Sequence, residues 1–105
     1  MSNELDRFDR LAAEKIMGWN YEGLSPRAKG DWKPTRNISQ AFECLDKLNP
    51  YAFNLQRADG EYFVSLVIEF GEKFLFVPEM GVLGAYYTAP ETIVRACLKA
   101  KGIEI

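Results

Sequence analysis

The sequence predicts an α+β fold: a three-layer α/β/α sandwich in the order α-α-β-β-β-α, with helices on both faces of a central antiparallel sheet of three to four strands. Three observations carry this. Apolar residues recur at helical spacing near both ends of the chain. The middle switches to a period of two around an Asp59-Gly60 pair, a strong hairpin signal. One of the strands is apolar on both sides, so it and three amphipathic helices must be buried against one another.

The first helix is expected from about Asn3 to Met17. Leu5, Phe8, Leu11, Ala12 and Ile16 fall on one face, while Glu4, Arg7, Arg10 and Glu14 fall mostly on the other. Ser2 or Asn3 can cap its start and Gly18 can stop it. Residues 18 to 36 show no period and hold Gly18, Gly23, Pro26, Gly30 and Pro34, so a long loop is expected. It also carries Trp19, Tyr21, Leu24 and Trp32. Its first reading is a lid packed over the core; the second is a contact surface.

The second helix is expected over Ile38–Leu48. Asn37 and Gln40 stand at capping-box spacing. Ile38, Ala41, Phe42, Leu45 and Leu48 make a continuous apolar stripe, and Asn49-Pro50 ends it. Tyr51, Phe53 and Leu55 then alternate with polar or small residues as a first strand. The second, Glu61 to Phe70, has Tyr62, Val64, Leu66, Ile68 and Phe70 on one face and Phe63 and Val67 on the other, so it is placed centrally. A Gly71-Glu72 turn leads into a third strand, Lys73 to Val77, ended by Pro78; Val82 to Tyr87 offers a short fourth. The last helix starts at a Thr88/Glu91 capping box with Pro90 in its first turn. It buries Ile93, Val94, Cys97, Leu98 and Ala100, and Gly102 terminates it.

The length, 105 residues, is that of one domain, and a chain of this size buries only about 65% of its unfolded surface. All elements must therefore share one core. With 48% hydrophobic and 27% charged residues the composition is globular rather than disordered. The net charge of -2 is spread without runs, and no basic face suggests nucleic acid as a partner. No apolar run approaches the roughly 20 residues of a membrane span. The first residues are polar rather than signal-like, so a cytoplasmic location is expected. Cys44 and Cys97 are expected as buried, reduced thiols.

The block Glu14-Lys15-Ile16-Met17-Gly18-Trp19, the Trp32-Lys33-Pro34 segment, the capped helix after Asn37 and the Thr88-Ala89-Pro90 helix start together carry a resemblance. The chain resembles the phage ABA sandwich domain family, small proteins of Gram-positive phages and prophages. That resemblance spans nearly the whole chain. It implies an α/β/α sandwich and a phage or prophage origin, and it implies no established activity.

The residues themselves offer little catalytic chemistry. There is no histidine, which removes the usual general base and the common nucleophile and metal constellations. No phosphate-binding glycine motif occurs. Neither a cofactor nor a metal is expected. Asp6 and Asp9 lie one turn apart among Arg7 and Arg10 and read as a solvated, self-neutralised helix face. Glu69 reads as a strand-end partner of Lys73, or as a buried functional carboxylate. Trp19, Tyr21, Trp32, Tyr86 and Tyr87 are the candidate binding residues. The leading expectation is a non-enzymatic accessory protein that binds another protein, acting on a host or defence factor. The alternatives are a carboxylate-dependent enzyme on a small molecule and a self-associating structural or assembly protein.

Overall fold

The structure, a computed structural model, describes residues 3–50, 52–58, 61–68, 72–76 and 88–103. Helix α1 spans Asn3–Leu11 and continues as a π-helical turn over Ala12–Ile16. A short α2 covers Pro26–Asp31, α3 covers Ile38–Leu48 and α4 covers Ala89–Ala100. Between α3 and α4 lie strands β1, Ala52–Ala58, β2, Glu61–Ile68, and β3, Glu72–Phe76. The fold is thus mixed α and β with an antiparallel sheet, ordered β1-β2-β3.

The first helix is not uniform. Trp32 Nε1–H donates to the backbone carbonyl of Asp9 at 2.9 Å, so a side chain enters the hydrogen-bond ladder there. One turn later the ladder is wide: Met17 N–H bonds the Ala12 carbonyl, and Trp19 N–H bonds that of Ala13, both at 2.9 Å. Gly18, at φ 76°, ends the segment, because the reversal needs a left-handed residue. Its buried face is Phe8, Asp9, Ala12, Ala13 and Ile16.

Helix α3 starts as expected, with Asn37 Oδ1 accepting from Gln40 N–H at 3.1 Å. Its stripe, however, is rotated from the expected one. Ala41, Cys44 and Leu45 are buried, whereas Ile38 and Phe42 are about 40% exposed at the rim. Phe42 lies edge-on against Phe53 of β1, with ring centroids 6.2 Å apart. Asn49 takes a left-handed conformation and closes the helix.

Register pairs Ala58 with Glu61 and Ile68 with Glu72. Glu72 therefore belongs to β3 rather than to a turn, and residues 69–71 lie outside the described residues. Phe53, Leu55, Val64 and Leu66 line one face and pack in the helical core. Phe63, Ser65 and Val67 point to the other face; they are half-buried and stand outside that core. The described core thus occupies one side of the sheet.

The last helix departs from a one-faced pattern. Every residue from Glu91 to Leu98 is buried, because α4 packs against β2 and β3 as well as against α3 and α1. Such burial requires its charges to be matched. Arg95 pairs with Glu91 at 2.8 Å and with Glu4 at 3.3 Å, and its guanidinium lies 4.5 Å from the Phe8 ring centroid. Thr88 caps the start, and the end is a glycine-closed reversal at Gly102, whose next residue, Ile103, donates to the Leu98 carbonyl. The Asp59-Gly60 turn, Glu69, the Val82 to Tyr87 strand and the Ser2 cap lie outside the described residues.

Candidate functional site

The segment from Trp19 to Arg36 is a clasp over α1 rather than an unstructured loop. Ser25 Oγ accepts from Ala28 N–H at 3.1 Å and Pro26 fills the first turn, so α2 forms where a loop was expected. A 3-10 turn at Tyr21–Gly23 precedes it. The front of the clasp is held by Arg10, which pairs with Glu14 and Glu22 and lies 5.5 Å from the Tyr21 ring centroid. Lys29 approaches the same ring at 5.6 Å.

The back of the clasp is held by Asp9, and this corrects the sequence reading of the Asp6/Asp9 face. Asp9 is 1% exposed. Its Oδ1 accepts the Thr35 backbone N–H at 2.9 Å and its Oδ2 accepts Arg36 at 3.1 Å. Arg36 also bonds Asp6 at 2.6 Å, and Lys33 lies 3.6 Å from the same oxygen. The carboxylates are neutralised, but by Arg36 and Lys33 from a distant segment. The hydrogen bond from Arg36 holds the Asp6 carboxyl below its ordinary range, with Lys33 adding to the effect. Both acids are therefore engaged in ion pairs that tie the clasp to α1.

The two tryptophans are brought together but divided in role. Their ring centroids lie 4.6 Å apart with planes at 63°, an edge contact. Trp32 is 5% exposed and belongs to the core, whereas Trp19 is 38% exposed. Packing and surface are thus both present in one segment. Tyr21 is half-buried between its two cations, and Tyr86 and Tyr87 lie outside the described residues.

Trp19 and Trp32 form one wall of a groove of about 390 Å³ completed by Leu24, Ala28, Asp31 and Gln40. Gln40 fixes its floor: Oε1 accepts Lys33 N–H at 2.6 Å, and Nε2 donates to the Asp31 carbonyl at 2.7 Å. Leu24 belongs to the set of large residues that the sequence marks in this segment, whereas Ala28, Asp31 and Gln40 are lining residues that it does not mark as a contact surface. The Ser25-Pro26 helix start was the signal that α2 would present Ala28 and Asp31 on one side.

Cys44 and Cys97 are free and buried on facing helices. Burial pushes the Cys44 thiol up to about 12 and the Cys97 thiol higher still. Among the described residues, no group of three or more Cys, Asp or Glu stands together in a way that would hold a metal ion. Among them, no helix is long and apolar enough to cross a membrane. Comparison with family models, with curated proteins and with solved structures finds no match to this chain.

Proposed function

We propose that this chain is a non-enzymatic binding protein whose contact site is the groove between Trp19 and α2. The observation that supports this best is the exposure of Trp19 beside a braced apolar wall. A large aromatic held half in solvent by a rigid neighbour is the usual anchor of a protein interface. The groove is lined mainly by Trp, Leu and Ala, Asp31 is the one carboxylate among its described lining residues, and Asp6 and Asp9 are held by Arg36 and Thr35. That argues against the carboxylate-enzyme alternative.

The biological setting belongs to the same proposal and rests on the family resemblance. It is a small phage or prophage accessory protein, working in the host cytoplasm on a host or defence protein. A second layer over the far face of the sheet, completing the sandwich, is also proposed; half-buried Phe63 and Val67 give it apolar surface. Hydroxyl-radical labelling of Phe63 tests that layer, and full reactivity would remove it.

The binding proposal is tested by capture from host lysate with wild-type protein and Trp19→Ala. The expected result is a specific protein retained by wild type and lost by the variant, with the variant's thermal transition nearly unchanged. Equal capture by both would move the contact site away from the groove.

A further inference from the structure

We propose that the groove receives an arginine side chain from the protein partner, its guanidinium stacked on Trp19 and paired with the Asp31 carboxylate. This deepens the binding reading above and rests on it.

The charge around the groove carries the inference. Of the described lining residues, the one ionised side chain is Asp31. It is the last residue of α2, where the helix dipole is negative and a cation is the favoured neighbour. Its present partner is Arg27 at 3.9 Å, a pair with side chains 93% and 74% exposed. Such a pair is worth little and is readily exchanged for a better one. The other nearby cations are directed elsewhere: Lys33 to Asp6, and Lys29 to Glu22 and the Tyr21 ring. Gln40 has both amide atoms engaged, so it does not compete for the ligand.

The aromatic wall narrows the choice of cation. Tryptophan is the strongest cation–π acceptor, and Trp19 is set edge-on to Trp32 with part of its surface open. Guanidinium is planar and weakly hydrated, so it can stack on an indole and present its fork to a carboxylate at once. An ammonium does the second but stacks poorly. An apolar side chain would strip water from Asp31 and return no hydrogen bond. A groove of about 390 Å³ has room for one long side chain and the adjoining backbone.

The test uses the indole N–H signals of Trp19 and Trp32 in ¹⁵N-labelled protein, titrated with acetyl-Gly-Arg-Gly-amide or acetyl-Gly-Leu-Gly-amide. The arginine peptide should shift the Trp19 signal saturably at millimolar concentration, and binding should weaken as salt rises. Asp31→Asn, a change at an exposed side chain, should weaken it roughly three- to tenfold with the fold intact. A leucine peptide that binds as tightly, or an Asp31→Asn variant that binds as well, overturns the arginine assignment and leaves the groove as a contact site. No shift with either peptide also overturns it, and lysate capture by Trp19→Ala then decides the broader reading by itself.

Discussion

Replacing Asp9 by alanine isolates the physical cause of the clasp. The side chain is 1% exposed and has one bond to a backbone N–H, that of Thr35, and one to Arg36. Removing it strands the Thr35 N–H in the interior, which costs about 1–3 kcal/mol. The Arg36 contact adds less, about 0–1 kcal/mol, because that guanidinium is 39% exposed and keeps Asp6. Relief of a desolvated carboxylate offsets part of this. The net loss is therefore about 1–3 kcal/mol, a substantial fraction of the roughly 5–15 kcal/mol that holds such a domain together. Asp9→Asn keeps an acceptor for Thr35 but loses the charge facing Arg36, so it should fall between alanine and wild type. Asp6→Ala, at a half-exposed side chain sharing the same arginine, should stay near wild type.

Urea titration of the three variants gives the free energies, and amide exchange at Thr35 shows whether the local bond has gone. The two tryptophans, Trp19 and Trp32, should report the same event as a red shift if the clasp loosens. Asp9→Ala within about 0.5 kcal/mol of wild type, the range of an ordinary surface substitution, would refute the reasoning. It would mean that the apolar packing of Trp32 and Pro34 holds the segment without the buried carboxylate.

Three further outcomes are expected. Trp32→Ala should cost about 3–5 kcal/mol and Trp19→Ala only about 1 kcal/mol, measured by the same titration; similar costs would dissolve the division between core and surface tryptophan. Thr35→Val should raise stability by roughly 1 kcal/mol, because the Thr35 hydroxyl is buried with no partner among the described residues; a loss of that size would reveal one. Both thiols titrate higher in the folded than in the unfolded state, so stability is full below the unfolded value near 9 and falls as pH rises toward about 12. Each contributes a slope of about 1.4 kcal/mol per pH unit, so Cys44→Ala should visibly flatten alkaline unfolding; an unchanged slope would place Cys44 outside the core.

Much of this arrangement follows local rules and was legible in the sequence. The Asn37 and Thr88 caps, the Gly18 and Gly102 stops and the β1–β2 alternation each depend on residues within a turn of one another. Asp9 was legible by spacing, since it sits four residues after Leu5 and four before Ala13 on the apolar face. Its neighbours Arg7 and Arg10 concealed that, because charge was matched locally when the real partners lie 26 and 27 residues away. Helix α2 was signalled by Ser25-Pro26, but the glycines and prolines around it masked a helix of only six residues. The all-round burial of α4 had no signal in periodicity. It follows from tertiary position, and its i,i+4 pair Glu91 and Arg95 became a buried pair only once α1 brought Phe8 and Glu4 alongside.

The same logic explains why identical residue types in one segment ended with opposite fates. Trp32 has an N–H that must be satisfied if the ring is buried, and Asp9 supplies a carbonyl at 2.9 Å on the face that α1 turns inward. Trp19 follows the left-handed Gly18, and its backbone N–H, rather than its indole, is the group tied back to the helix. Its ring is therefore free to rest edge-on against Trp32 with a surface left to solvent. Arg10 at one end and Asp9 at the other fix the chain that carries it, and Gln40 fixes the end of α2 opposite. A partner meeting this surface would not have to order it, and that saved entropy favours binding there over an equally apolar but loose loop.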